Sequence, residues 1–412
     1  MFDQSIPTSF FKNNRAELFN SLKVNALIVT ANGLIQKSAD QAFPFRQDSN
    51  FYYLTGIDEP DLVLVITNEE EFIITSDFFT KNQAITGPIN TDYLSQISGI
   101  DSFKNERAGW QTINKVIKAS NKIATLMPSP TKLPHYGIYT NPARRQLLIK
   151  IKRSLPGIEI TDARKQLATK RMVKKPIELS LIQKAIDITS DTLRDVLSIN
   201  KLSRYKDTNE VNRAILDGFL SRGGTGHAFD PIVAVGKDAV AIHYPKLGQT
   251  LEEGQLMVCD VGSSYDHYGA DITRTVSLGN PSSRQVAVFN AVKHVQSEAM
   301  KLLKPGVNFK DYELKVEKLI GERLNDLNLI KGSKTKDIRE YYTHACSHSL
   351  GLDIHDAVDY TQPIKEGMVM TVEPGIYIKE EGIGVRLEDV VHITNHGCEL
   401  MSKNLPSSLK LN

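Results

Sequence analysis

The sequence predicts a two-domain chain of mixed α/β (α+β) character, and three observations carry that prediction. At 412 residues it is too long for one ordinary core. Helical and strand-like apolar patterns alternate along it, with no internal repeat, low-complexity tract or heptad seam. The pattern breaks around Leu155-Pro156-Gly157 and in the basic stretch Arg164 to Lys175, which ends at Pro176. That punctuation puts the junction near residue 170 and gives domains 1–170 and 171–412.

In the first domain a polar amphipathic start leads to strand-like runs at Ala26 to Thr30, Leu62 to Ile66, Glu71 to Thr75 and Lys122 to Met127. Asn68-Glu69-Glu70 between two of these runs predicts a hairpin turn, so the sheet is expected to be mixed rather than wholly parallel. In the second domain a long helix is predicted from Glu178 to Leu197. Another runs from Ser283 to Leu303, where Val288, Ala291, Val292, Val295, Ala299 and Leu302 recur at helical spacing and Lys304-Pro305-Gly306 stops it. Strands are expected at Leu256 to Val261, Thr273 to Leu278, Met368 to Val372 and Val390 to Thr394.

Composition excludes several function classes. A formal charge of +2 is close to balance, so it suggests neither a nucleic-acid partner nor an anionic membrane. No block of Lys and Arg is interleaved with aromatics, and no run approaches the length needed to cross a bilayer. The start lacks a basic segment followed by an apolar stretch, which reads as a cytoplasmic protein. Cys259, Cys346 and Cys398 are few and odd in number, which suits a reducing compartment. Cys259 reads as a small apolar residue of a strand.

Chemistry is concentrated late in the chain, where every histidine but His135 lies from residue 227 onward. Asp260, Asp271, His348, Glu373 and Glu388 occur in that order, each in an apolar, strand-like or glycine-flanked context. This pattern points to a two-metal hydrolase. Asp260 ends LMVCD and Asp271 sits in GADITRTV, across the polar turn GSSYDHYG. A hairpin over Ser263 to Tyr268 would bring the two carboxylates to neighbouring strands, where a divalent cation relieves their repulsion. Either acid alone reads as a solvated strand end.

Glu373 follows MVMTV and precedes Pro374-Gly375, while Glu388 lies in GVRLEDVVHIT. Acids rarely occupy such surroundings unless paired, hydrogen-bonded or bound to a metal. Arg386, two residues before Glu388 and so on the same strand face, offers a salt bridge instead. That pairing covers one acid but not four recurring in apolar strands. His348 has His344 four residues before it and His355 seven after. A helical His pair at that spacing can bind zinc, but Gly351 and the lack of a following helical period favour a turn or strand entry. One histidine with four carboxylates suits Mn²⁺, Fe²⁺, Co²⁺ or Zn²⁺, and nearby Cys346 is not needed to complete the set.

Other chemistries fit less well. G-x-S-x-G, a phosphate-binding G-x-x-x-x-G-K-[ST] and H-E-x-x-H are all absent. Gly223-Gly224-Thr225-Gly226 reads as a flexible turn rather than a phosphate cradle, and Cys346 as a nucleophile explains fewer residues than a metal does.

These residues resemble the aminopeptidase P and prolidase group of pita-bread metallopeptidases. The likeness rests on FDPIVAVGKDAVAIHY, VCDVGSSYDHYGADITRTV, HACSHSLGLDIHD, MTVEPGIYI and GVRLEDVVHIT, with FPFRQDSNFYYLTGIDEPDLVLVI in the first half. It implies a creatinase-like N-terminal domain with a mixed sheet and a C-terminal pita-bread catalytic domain. It also implies that Asp260, Asp271, His348, Glu373 and Glu388 hold two divalent metals, usually manganese. Asp271 and Glu388 would bridge them, a bridging hydroxide would be the nucleophile, and Glu373 would shuttle its proton to the leaving nitrogen. His243, His344 and His355 match histidines that line the substrate site, Arg386 an arginine near the metals, and Tyr377 falls in the matched EPGIY segment. His243, in AIHYPK, reads by itself as an ordinary strand histidine.

The resemblance therefore implies an Xaa-Pro aminopeptidase acting on peptides with proline second, in a homodimer or homotetramer. A bond before proline is a tertiary amide without an N–H, which ordinary peptidases fit badly. The rival readings are an Xaa-Pro dipeptidase, a non-catalytic pita-bread peptide-binding module and metal-independent creatinase-type chemistry. The chain departs from the family pattern where Ala345-Cys346 intervene after His344, which Gly commonly follows, and where Ser349 replaces a bulkier residue or Gly.

Overall fold

The computed structural model describes residues 6–76, 87–118, 122–244 and 246–411. The chain divides into two compact units, one ending at Lys170 and the other beginning at Arg171.

In the first unit the strands are β1 (Ala26–Thr30), β2 (Val63–Thr67), β3 (Glu71–Thr75), β4 (Phe103–Asn105), β5 (Lys122–Thr125) and β6 (Glu159–Asp162), in the sheet order β4-β3-β2-β1-β5-β6. β2 is antiparallel to both β1 and β3, and the remaining pairs are parallel, so the sheet is mixed as expected. The turn at 68–70 closes because Thr67 Oγ1 accepts the N–H groups of Glu69 at 3.2 Å and Glu70 at 3.0 Å. Ile28, Val65, Phe72, Ile74 and Ile123 form one side of a core with Trp110, Ile113, Leu147 and Ile151 from the helices α1 (Glu106–Lys118) and α2 (Ala143–Ser154). Trp110 is thus a core residue.

The second unit opens with α3 (Pro176–Val196), whose first residue is the proline that suits an N1 position. α4 (Thr208–Ser221) follows, then β7 (Gly226–His227), β8 (Ile232–Val235), β9 (Leu256–Val261), β10 (Ser263–Tyr265), β11 (Tyr268–Gly269) and β12 (Ile272–Ser277). Next come α5 (Ser283–Leu302) and α6 (Phe309–Asp326), then β13 (Val369–Val372), β14 (Gly375–Ile378), β15 (Ile383–Arg386), β16 (Asp389–Thr394) and β17 (Gly397–Leu400). The strands form short antiparallel sheets: β8-β9-β12, β11-β10-β7, β13-β16-β17 and β14-β15. The Ser282 hydroxyl and Gln285 amide cap α5 reciprocally. Val288, Val292, Val295 and Ala299 of α5 meet Val316, Ile320 and Leu324 of α6 and the undersides of β13, β15 and β16. This buried layer is the rigid floor on which the functional strands lie.

Candidate metal centre

The centre starts from strand pairing. β9 and β12 are antiparallel with Asp260 opposite Thr273, so these two side chains share a face, and Asp271, two residues before Thr273, joins them. In this register Asp271 is diagonal to Asp260, and the two carboxyl groups still lie close enough to share a hydrogen bond. The hairpin that links them is the expected one. β10 and β11 close it through Asp266 and His267, both in the left-handed region at φ +47° and +66°, as a tight two-residue turn requires. At Gly262 a Cβ would lie 1.7 Å from Ala270 O, so only glycine lets the two acidic strands approach this closely.

A second layer crosses that face. Thr275 Oγ1 donates to Arg386 O at 2.8 Å and accepts its N–H at 3.1 Å, and Glu388 N–H donates to Thr273 O at 3.0 Å. β15 ends at Arg386 and β16 begins at Asp389, which leaves Glu388 in the break between strands. The alternative of an Arg386–Glu388 salt bridge on one strand face, which the sequence offered and set aside, is therefore not formed. Arg386 Nη2 donates to Asp260 Oδ2 at 2.6 Å, while Glu388 Oε2 takes the Thr273 hydroxyl at 2.8 Å.

His348 enters from the other side, outside any helix, on a loop that meets β13 through Ser349 and Met370. Its Nδ1 lies 3.1 Å from Ser349 O, so Nδ1 carries the proton and Nε2 presents a lone pair. That lone pair points at Glu373 Oε1 (3.3 Å), Asp271 Oδ2 (3.5 Å) and Glu388 Oε1 (3.9 Å). One donor atom each from Asp271, His348 and Glu388 lies within 4.8 Å of the others. Asp260 Oδ1, Asp271 Oδ1 and Glu388 Oε1 are buried with no hydrogen-bond partner. Burial lowers the proton affinity of His348, so a proton on Nε2 is not the remedy. Burial first, and then the neighbouring carboxylates, pushes Asp271, Glu373 and Glu388 well above the usual carboxylate range. A lone pair and unpartnered oxygens converging in a buried space fit a divalent cation, which Asp271, His348 and Glu388 could hold, with Asp260 and Glu373 beside them. A histidine whose second nitrogen is fixed by a backbone carbonyl is the usual form of a metal ligand.

The remaining predicted residues surround this cluster unevenly. His344 Nδ1 is 2.8 Å from Ala345 O, and its Nε2 is 2.9 Å from Tyr377 Oη, which also accepts Arg386 Nη1 at 3.0 Å. Burial and the Arg386 charge lower His344 to about 3, so it is neutral. The hydroxyl of Tyr377 then donates to Nε2, and an unbroken chain runs Asp260, Arg386, Tyr377, His344. His355 packs edge-to-face against His348 with ring centroids 4.3 Å apart. His243 stands in an exposed turn rather than a strand, close enough for its charge to bear on both His344 and His355.

The profile of metallopeptidase family M24 matches residues 180–395, more than half the chain and the whole of this cluster. The chain belongs to metallopeptidase family M24. The profile of the aminopeptidase P N-terminal domain matches residues 11–124. Together the two matches bear out the expected family and fold, including the pita-bread architecture of the M24 domain. Among curated relatives, the Xaa-Pro aminopeptidase of Haemophilus influenzae is 29% identical over 98% of this chain and 96% of its own. Xaa-Pro aminopeptidase 3 of Homo sapiens is 28% identical over 93% of this chain and 79% of its own. A solved Bacillus anthracis structure assigned as an aminopeptidase P superposes with a TM-score of 0.88 at 28% identity, covering 98% of this chain and 97% of that one.

For this M24 peptidase, sequence reasoning passed over the residues that orient the cluster. Thr273 lies inside the quoted GADITRTV motif, and a hydroxyl two places after an acid on a strand was the available signal. Thr371, which accepts His348 N–H at 3.2 Å, is likewise two places before Glu373. Cys259 is buried in β9 as the sequence predicted. Cys346 is also buried, and burial raises its thiol far above the neutral range, which leaves it unsuited to act as a nucleophile.

Proposed function

We propose that the protein is a metal-dependent Xaa-Pro aminopeptidase, which removes an N-terminal residue that precedes proline. The observation that carries the reading is the His348 Nε2 lone pair directed at the carboxylates of Asp271, Glu373 and Glu388, in a buried cluster where Asp260, Asp271 and Glu388 each keep an oxygen with no hydrogen-bond partner. The M24 match and relatives named for Xaa-Pro cleavage support the substrate class. In this reading Asp260, Asp271, His348, Glu373 and Glu388 hold two divalent ions, with manganese favoured by four oxygen donors to one nitrogen. The bound metals supply Lewis acidity, polarising the scissile carbonyl and lowering the pKa of water.

The chain's own groups do the rest. Glu373 would act as an ionised carboxylate, the form a metal ligand takes, accepting a proton from the attacking water and giving it to the leaving nitrogen. Arg386 neutralises Asp260 and, through Tyr377, fixes the His344 ring. His355 and His243 border the cluster on its open side and bind the substrate. We assign residues 1–170 to an N-terminal domain and 171–412 to the catalytic domain. We also place the protein in the cytoplasm, on the strength of three free cysteines. Among the described residues no helix is long and apolar enough to cross a membrane. A homodimer or homotetramer is supported by the exposed Leu34, Ile35, Phe43, Tyr136, Ile138 and Tyr139 of the first unit.

The test is hydrolysis of an Xaa-Pro-Yaa tripeptide and the matching Xaa-Pro dipeptide by chelator-stripped protein, with and without Mn²⁺. The expected result is Mn²⁺-restored release of the first residue from the tripeptide. Turnover of the dipeptide alone would make the protein a prolidase, and turnover of neither with any divalent metal would make it a binding module.

A further inference from the structure

Between His344 and His348 the backbone lies in no helix or strand, and one helix supplies hydrogen-bond partners for it. Glu313 of α6 accepts Cys346 N–H through Oε2 at 2.9 Å and Ser347 N–H through Oε1 at 3.2 Å. Beside it, Tyr312 Oη lies 2.8 Å from Ser347 Oγ. One turn on, Glu317 holds Arg339, whose Nη1 donates to His344 O at 3.3 Å. The other edge of the loop is tied to β13 and the residue after it. Glu373 N–H donates to Cys346 O at 2.8 Å and Thr371 N–H to His348 O at 3.0 Å. The loop is thus clamped between α6 and the segment formed by β13 and Glu373 just after it.

We propose that Glu313 is a positioning residue of the metal centre, whose carboxylate, by holding two consecutive N–H groups, sets where His348 Nε2 points. The inference rests on the metal reading above. Cys346 and Ser347 are buried, so their N–H groups need a protein partner. A carboxylate serves better than any neutral side chain because both oxygens accept, one for each peptide. Without it the two donors are satisfied only if the peptide planes rotate toward water, and His348 is the next residue along. A glutamine at 313 keeps one acceptor but sets its NH₂ against the other N–H, so the isosteric variant disturbs the loop without changing its packing volume. The region coincides with the sequence's departure from the family pattern at Ala345-Cys346, between the two histidines.

The experiment compares chelator-stripped wild type, Glu313→Gln and Glu313→Ala by calorimetric titration with MnCl₂, alongside the thermal midpoint of each metal-free protein. The glutamine variant keeps the shape of the side chain and serves if the alanine variant fails to fold. The expected outcome is Mn²⁺ affinity weakened about tenfold or more, the scale on which supporting groups act on metal sites. With Mn²⁺ saturating, kcat for the tripeptide falls and KM does not. A lower midpoint with wild-type Mn²⁺ affinity would show a purely structural role and overturn the proposal. Wild type that takes up no Mn²⁺ would overturn the metal reading, and this inference with it.

Discussion

Replacing Glu178 with glutamine should remove a pH dependence that the fold imposes on itself. Glu178 is the third residue of α3 and is buried, with Oε2 accepting Lys175 N–H at 2.9 Å and Oε1 accepting the Tyr268 hydroxyl at 3.1 Å. A helix N-terminus favours an anion. Burial outweighs that effect, the two hydrogen bonds and the Lys174 charge, and pushes the carboxyl from 4.5 up to about 7. A carboxyl whose folded pKa is raised binds its proton more tightly in the native state than in the unfolded one. It therefore costs nothing below about pH 4.5, and stability is lost as pH rises toward about 7. At ~1.4 kcal/mol per pH unit, that gap amounts to about 3 kcal/mol. A glutamine at this position has no proton to lose and can keep both contacts, its oxygen on Lys175 N–H and its amide on Tyr268 Oη. Urea unfolding of metal-free wild type and Glu178→Gln at acidic and mildly alkaline pH isolates the effect, because all other titrations are common to both. The variant should match wild type at low pH and exceed it by about 3 kcal/mol above neutrality. A constant difference across the range would refute the argument.

Two further outcomes follow from the centre itself. Asp271, Glu373 and Glu388 all have raised proton affinities, so metal-free protein should lose stability as pH rises, while bound metal, which competes with those protons, should stabilise more at higher pH. Thermal midpoints with Mn²⁺ and with chelator should diverge from acid to alkaline pH, by about 2.7 kcal/mol where free metal is a hundredfold above its Kd; a gap that shrinks with pH would place the metal elsewhere. Tyr377→Phe removes the hydroxyl that joins Arg386 to His344 and leaves His344 Nε2 without its donor. Losing such a buried contact costs about 1–3 kcal/mol, so kcat/KM should fall about tenfold or more with Mn²⁺ affinity little changed, and unaltered kinetics would remove the relay from the reading.

Much of the fold was legible because apolar periodicity survives in it. β1, β3 and β9 begin and end where the alternation placed them, and α5 differs from its expected span only at the last residue. The 43–66 segment and the five C-terminal motifs point to the family through residue types and spacing alone. The site was legible as a set of residue types, since carboxylates in apolar strands are expensive to bury without a cation or partner. Its internal wiring was not. Arg386 was offered only as an alternative partner of Glu388, by extending strand alternation through residues 387 and 388, where the chain leaves one sheet and enters the next. The hairpin that brings Asp260 and Asp271 together was evident, but the register that sets Thr273 opposite Asp260 was not.

By itself, the sequence determined the two α/β regions, the acid and histidine set, and the membership of a metallopeptidase family. These depend on residue type and short-range spacing, which the chain carries in one dimension. Only the tertiary structure decided that Asp260 neutralises Arg386, that Thr273 holds Glu388, that Tyr377 bridges Arg386 to His344, and that Glu313 clamps the loop before His348. Each of those contacts joins residues more than eight positions apart, and all but one join residues more than thirty apart. Their partners are chosen by sheet register and by packing of α6 on the strands, which hydrophobic burial enforces without leaving a local mark in the sequence.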